Sequence, residues 1–310
     1  GQTMKLNPHG DAAIYDTLVR LSRGYGALLH PLVDSKGNFG KVYSRDMAWA
    51  ASRYTEVRLD GVCQELFRDI DEDAVVVSVT KGLEQETYLR MSQVVAQETG
   101  RDVVVLCGPS HAEEVAIDVP TGLLAASTDQ KKAEFVQDAF MSDTLRVYTS
   151  ADPVGAELGA ALKNVIALCA GITDGLGFGD NTKAMLMTRG LTEIARLGVA
   201  MGAKKETFTG LTGVGDLIVT CTSMHSRNRR AGILIGKGED VQTAMKEVGA
   251  VVEGYYAAKS AYELGRKMHI DMPITEAAYK VLYEGADARQ AVQQLLTRQR
   301  KSESENPGWL

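Results

Sequence analysis

Leu158-Gly-Ala-Ala-Leu-Lys163-Asn164-Val-Ile-Ala-Leu-Cys169-Ala170 is apolar on every helical face except at one adjacent pair, Lys163-Asn164. A helix of that kind belongs in a core, so the stretch predicts a central helix that holds an ammonium where water is scarce. Desolvation favours the neutral amine. A lysine with a lowered pKa can serve as a base; on pattern alone a snorkelling side chain is the alternative. Downstream, Gly213-Val-Gly-Asp216-Leu-Ile-Val-Thr220 sets an acid and a hydroxyl four apart, ahead of the cluster Ser226-Arg227-Asn228-Arg229-Arg230. Guanidinium groups at that density suit a phosphate or carboxylate, although an arginine run also fits a solvated helix end. Taken together, the two pieces predict a base beside an anion site.

The chain around this stretch is that of an ordinary folded protein. Its 310 residues allow two domains, and 45% hydrophobic content supports cores of normal size. No apolar run reaches the roughly 18 residues of a membrane span and no signal peptide opens the chain, which predicts a cytoplasmic location. Cys63, Cys107, Cys169 and Cys221 are scattered without a C-x-x-C pair. They read as buried free thiols rather than disulfides or a zinc site, and no metal is expected. A net charge of -6 argues against a general polyanion binder.

From residue 74 the pattern alternates. A buried strand over 74–79 leads to Lys81, then to an amphipathic helix over 86–98 and a strand over 103–106 that delivers Gly108-Pro109-Ser110 at its C-terminal end. Ligands bind at such ends in open α/β sheets. A strand over 121–127, a helix over 131–140 and a strand over 145–148 follow. After Pro153 everything is helical in pattern: Met187, Leu191, Ile194 and Met201 recur on one face, and 275–284 carries a second stripe. The tail 301–310 reads as disordered. The predicted fold class is α/β, an incomplete Rossmann-like parallel sheet over 74–152 plus an all-α domain over 153–300.

The motifs along this half have a recognisable order. They are Ser78-Val-Thr-Lys81-Gly, Cys107-Gly108-Pro109-Ser110-His-Ala112, Glu157-Leu-Gly-Ala-Ala-Leu-Lys163-Asn164, Gly213-Val-Gly-Asp216-Leu, Ser226-Arg227-Asn228-Arg229 and Val251-Val-Glu253-Gly254. From about Val75 to Arg300 the sequence closely resembles the bacterial NAD(P)-dependent glycerol-3-phosphate dehydrogenases. That resemblance implies NAD or NADP as cofactor, with the preference left open, and glycerol 3-phosphate or dihydroxyacetone phosphate as the small-molecule partner. It also implies a role in supplying phospholipid precursors. Lys163 would be the proton acceptor, with Lys81 and Asp216 completing the catalytic set. Lys81, Gly108, Ser110, Lys163, Asn164, Asp216, Ser226, Arg227 and Asn228 would hold substrate; Lys81, Ala112, Arg227, Val251 and Glu253 would lie on the cofactor side. Taken singly, Asp216 reads as a helix cap, Glu253 as a solvated charge and Ser110 as a turn residue.

The start of the chain is different. Such a dehydrogenase should open with a strand, a Gly-x-Gly-x-x-Gly/Ala turn and a helix whose N-terminus receives the pyrophosphate. The nearest approach, Gly24-Tyr-Gly26-Ala-Leu-Leu29, lacks the third small residue and follows a helical pattern. Instead, Pro8-His9-Gly10-Asp11, Leu32-Val-Asp34-Ser-Lys-Gly37-Asn38-Phe39-Gly40 and Arg53-Tyr54-Thr-Glu56-Val-Arg58-Leu resemble an α+β fragment of the DNA-breaking chain of DNA gyrase and topoisomerase IV, over residues 1–73. By that resemblance Tyr54 would attack DNA, assisted by Arg53, with His9 near the scissile phosphate. The join falls near Asp69-Ile-Asp-Glu-Asp73, after a stretch from Val57 to Phe67 with amphipathic helical spacing. The chain therefore reads as a chimera. Its first function hypothesis is a glycerol-3-phosphate dehydrogenase-type oxidoreductase whose missing glycine turn predicts weak dinucleotide binding and puts turnover in question. The alternatives are a DNA-binding fragment led by Tyr54, or a chain with neither activity. The near balance of basic and acidic residues before the join argues against nucleic acid, and a homodimer is left open.

Overall fold

The computed structural model describes residues 33–36, 56–59, 73–300 and 302–303. The expectations for His9, Arg53 and Tyr54, for Gly24–Leu29, for Cys63 and for the tail beyond residue 303 lie outside them. Strand β1 (Val33–Lys36) pairs antiparallel with β2 (Glu56–Leu59), Val33 opposite Leu59. The helix expected from Val57 onward therefore does not start there. Glu56-Val57-Arg58-Leu59 alternates with a period of two as well as it fits a helical stripe, and the partner strand decides between them.

The main sheet has four strands in the order β3-β4-β5-β6: β3 (Val76–Ser78), β4 (Val103–Cys107), β5 (Thr121–Ala126) and β6 (Leu145–Ser150). β3 and β4 run parallel across α1 (Met91–Thr99), and β5 and β6 run parallel across α3 (Gln130–Phe140). Between the two pairs the direction reverses, Leu106 lying antiparallel to Ala125. The sheet is thus mixed rather than wholly parallel. The reason is the link from β4 to β5, which contains one helical turn, α2 (Ala112–Val115), where a parallel crossover usually needs a full helix packed on the sheet. α1 also begins later than its pattern suggests. Leu83 bridges Arg90, and Glu86 and Tyr88 take positive φ, so residues 83–90 form a tight strap before the helix.

Among the described residues every element from Pro153 onward is helical. α4 (Pro153–Gly175) is the axis, buried along nearly its whole length. Asp152 caps it by accepting from Gly155 N at 2.9 Å, and proline sits in its first turn, where no amide donor is needed. α4 is long and apolar enough to cross a membrane by length and composition, but its apolar window is enclosed by protein. One end packs Ala156 and Ala160 on the sheet residues Val105 and Ala126. Further along, Leu162 and Ile166 join Ile194, Leu197 and Phe208, while Val165 and Ile172 join Ala231, Ile235 and Val281 on the opposite side.

Around it stand α5 (Asp180–Ala200), a 3-10 turn (Lys205–Thr209), a π-helical turn (Leu211–Gly215), α6 (Asp216–Thr222) and α7 (Arg227–Gly236). They are followed by α8 (Val241–Val248), α9 (Glu253–Lys267), α10 (Pro273–Tyr283) and α11 (Ala288–Leu296). α4 and α7 meet backbone to backbone. A Cβ on Gly232 would lie 2.1 Å from Leu168 O, and one on Gly171 would lie 2.1 Å from Arg229 O. Gly175 and Gly236 repeat the contact one turn on.

Candidate active site

The deep stretch of α4 brings Lys163 against α6. Lys163 is 5% exposed; its ammonium donates to the Asp216 carboxylate and, at 2.7 Å, to Thr220 Oγ1. Asp216 and Thr220 stand one turn apart on α6, so one helix face offers both acceptors. The hydroxyl of Thr220 in turn donates to the Asp216 carbonyl at 2.6 Å. From the sheet side, Lys81, just past the C-terminal end of β3, donates to Asp216 Oδ2 at 3.0 Å and to Gly108 O at 3.1 Å. Two ammonium groups therefore share one carboxylate that is 1% exposed.

The two lysines respond in opposite directions. Burial, with the charge of Lys81 added, presses the Lys163 ammonium down to about 8 against the pull of Asp216. Burial also works against the Lys81 ammonium, but the charge of Asp216 and its hydrogen bond outweigh it and hold Lys81 above the usual lysine value. Near neutral pH the site therefore carries one firmly charged lysine and one poised to give up its proton. Cys107 and Cys221 are nearby free thiols whose burial pushes them up to about 12, so they are unreactive.

A second network adjoins the first. Asn164 Nδ2 donates to Glu253 Oε2 at 2.8 Å, Asn228 Nδ2 donates to Asn164 Oδ1 at 3.0 Å, and Gly254 N donates to Asn228 Oδ1 at 2.7 Å. Arg227 lies 3.4 Å from Glu253 Oε1 with its side chain 44% exposed. The first turn of α7, the first turn of α9 and the middle of α4 thus converge. Ser226 caps α7 by accepting from Arg229 N at 3.2 Å, and Ser110 donates to Gly108 O at 3.2 Å, the carbonyl that Lys81 also uses. Among the described residues no hydrogen bond joins Ala112 or Val251 to these networks.

The arginine run does not act as one unit. Arg229 is taken up structurally, pairing with Asp174 at 2.8 Å and donating to Thr222 O at 2.9 Å, which leaves Arg227 as the one directed at the second network. Two features have no role assigned on sequence grounds. Thr220 is visible there only as a hydroxyl four past Asp216, and its contact with Lys163 spans 57 positions. His111 Nε2 is buried with no partner; burial and then the charge of Lys163 lower its pKa, keeping the imidazole neutral. The cavity beside Lys81, bounded by Gln85, Asn164, Glu253 and Tyr256, measures about 20 Å³, room for one water. A larger one of about 410 Å³ lies away from the lysines, between α5, α10 and α11.

An α/β sheet that presents Lys81 and Gly108 at its strand ends to a buried lysine on an all-helical half is the two-part arrangement of a nicotinamide-dependent oxidoreductase. Residues 152–293 match the family profile of the NAD-dependent glycerol-3-phosphate dehydrogenase C-terminus, and residues 55–133 that of its N-terminus. A glycerol-3-phosphate dehydrogenase of Clostridium perfringens is 57% identical over 242 residues, covering 78% of this chain and 73% of the relative. One from Listeria innocua is 55% identical over 249 residues, 79% of this chain and 74% of the relative. The crystal structure of glycerol-3-phosphate dehydrogenase from Coxiella burnetii superimposes with a TM-score of 0.71 at 40% identity, covering 76% of this chain and 73% of that one. The chain belongs to the NAD(P)-dependent glycerol-3-phosphate dehydrogenase family. Its cofactor class is NAD or NADP. Residues 1–92 match a second profile, that of the DNA gyrase/topoisomerase IV A-type chain.

Proposed function

We propose that the chain oxidises glycerol 3-phosphate, or reduces dihydroxyacetone phosphate, with residues 153–300 as the substrate domain and 74–152 as the remnant of the dinucleotide-binding domain. The observation that carries this reading is the buried Lys163 ammonium with a pKa near 8, shared between Asp216 and Thr220. In the oxidising direction neutral Lys163 takes the hydroxyl proton. Asp216 orients the amine from one side and anchors Lys81 on the other, so that a positive charge remains where alkoxide character develops. When bound, the nicotinamide supplies the hydride acceptor. Arg227 and Asn228, with Ser226 and Ser110, receive the phosphate; Asn164 links that grip to the base, its neighbour in sequence.

The fit to the cofactor is divided. Lys81 holds Asp216, and Arg227 and Glu253 pair beside Asn164, the residue next to Lys163, with Ala112 and Val251 assigned by resemblance. Among the described residues no glycine-rich turn leads from a strand into a helix N-terminus, the device that cradles a pyrophosphate. β3 runs into Lys81-Gly82-Leu83 and β4 into Gly108-Pro109-Ser110. Losing several charge-assisted hydrogen bonds at about 1.5–3 kcal/mol each weakens dinucleotide binding by orders of magnitude. Isothermal titration with NADH, NADPH and glycerol 3-phosphate tests the reading: glycerol 3-phosphate is expected to bind, and to lose binding in Arg227→Ala. Undiminished binding in that variant would move the phosphate site elsewhere.

A further inference from the structure

Residues 79–90 carry Lys81 from the sheet to the helical half, and their anchors are unevenly placed. Gly82 follows Lys81 at φ 144, a conformation that lets the chain swing away at once. Leu83 plugs into the helical core beside Leu158 and Leu162. Gln85 Nε2 then donates to Ser260 Oγ at 2.6 Å, with Tyr256 O at 3.5 Å, and Tyr88 Oη donates to Glu263 Oε2 at 3.0 Å. Arg90 pairs with the buried Glu157 at the head of α4.

These anchors read as a pattern on α9. Glu253, Tyr256, Ser260 and Glu263 are spaced three, four and three apart, the spacing of one helix face. One end of that stripe holds Asn164 and Arg227 through Glu253, and the rest receives the strap. A lysine ammonium rides on a flexible four-carbon stem, so its resting place depends on where the backbone is pinned. Ser260 is fully buried, so removing Gln85 would strand its hydroxyl.

We propose that Gln85, through its hydrogen bond to Ser260, is a positioning residue for Lys81: it pins the strap on α9 and so keeps the Lys81 ammonium on the carboxylate that Lys163 also uses. This deepens the reading of Lys163 as the base and rests on it for its kinetic consequence. The charged groups around Lys163 are Asp216 from α6, Lys81 from the strap and Glu253 from α9, with neutral His111 beside them. Lys81 is the member of that set which the latch moves. When it withdraws, Lys163 is freed of a neighbouring positive charge and keeps more of Asp216, so its ammonium holds its proton to higher pH.

The test uses the full chain with 13C-labelled lysine, following the ε-methylene shift of Lys163 against pH, with Lys163→Met as the assignment control. Gln85→Met and Ser260→Ala are each expected to raise the Lys163 midpoint by at least about half a pH unit, about a threefold change in proton affinity. The double variant is expected to add nothing further, because both remove one interaction. Folded variants with an unmoved Lys163 midpoint, or shifts that add in full, would reduce the latch to a stability contact and overturn the proposal. Ser260→Ala decides the matter if Gln85→Met does not fold. In steady state Gln85→Met should lower kcat about tenfold or more with little change in KM for glycerol 3-phosphate. If the parent chain shows no turnover, the enzymatic reading fails while the titration still decides the latch.

Discussion

Replacing Gly232 by alanine tests the helix pair on which the site is mounted. In an exposed helix interior the change would stabilise by about 1 kcal/mol, because glycine is a poor helix former. Here the new methyl would sit 2.1 Å from Leu168 O, 2.8 Å from Ile172 N and 2.9 Å from Gly171 Cα. All three are backbone atoms, which cannot rotate aside, so α7 must back away from α4 by roughly 1 Å to restore normal contact. Overpacking of this kind costs about 1–3 kcal/mol, and the absence of any flexible neighbour puts Gly232 at the upper end. The net effect is a loss of about 2 kcal/mol, or about 4–8 °C in Tm. The same displacement would pull Asn228 off Asn164, now 3.0 Å away, so glycerol 3-phosphate should protect the variant less than the parent. Thermal unfolding followed at 222 nm with and without the ligand is the assay. A variant that melts at or above the parent temperature would refute the backbone-on-backbone packing.

Lys163→Met is expected to abolish oxidation while the protein stays folded, since the apolar walls of α4 accept a methionine; retained turnover in a folded variant would assign the base elsewhere. The rate of glycerol 3-phosphate oxidation should rise with pH through a midpoint near 8, because the amine must be neutral, and a flat profile from 7 to 9 would contradict this. Stability should move the same way. The folded-state pKa lies below the 10.5 of a free lysine, so a penalty of about 3 kcal/mol present below pH 8 is relieved between 8 and 10.5, measurable by urea unfolding at pH 7 and 9.5. Thr220→Val removes an acceptor from the buried ammonium and should destabilise by about 1–3 kcal/mol while lowering the Lys163 midpoint further; an upward shift would be inconsistent with the hydrogen bond. Incubation with plasmid DNA and magnesium should yield no covalent tyrosine adduct, and one that disappears in Tyr54→Phe would revive the nuclease reading.

The helical half is legible in the sequence because its signals are local. An all-apolar run of whole turns predicts a buried helix, and the choice between a snorkelling lysine and a buried one falls to the packing around it, which leaves Lys163 5% exposed. The identity of that partner is not legible. Lys163 and Asp216 are 53 positions apart, and Thr220 looks like any helical threonine until α6 lies against α4. Strand runs are visible too, but a strand's apolar residues do not encode its direction, so the reversal between β4 and β5 could come only from the short link that joins them. The start of α1 escapes the pattern because Glu86 and Tyr88 adopt a backbone conformation that their residue types rarely take. Arg229 shows the opposite error. A dense basic cluster reads as one anion site, but a single acidic partner at the end of α4, Asp174, converts one of its members into a brace.

The hydrogen bonds around Lys163 also show where its charge is balanced. Thr220 spends its own hydrogen on the Asp216 carbonyl, so its oxygen can accept from Lys163 but has nothing to pass outward without breaking that bond. His111 keeps a buried Nε2 that meets no partner. The Asp216 carboxylate, which takes the other Lys163 hydrogen bond, turns its second oxygen to Lys81, and Lys81 holds its own proton firmly while keeping 20% of its side-chain surface in contact with solvent. The charge around the buried amine is therefore balanced in part by a side chain of the sheet half, although Lys163, its acid partner and its hydroxyl all belong to the helical half.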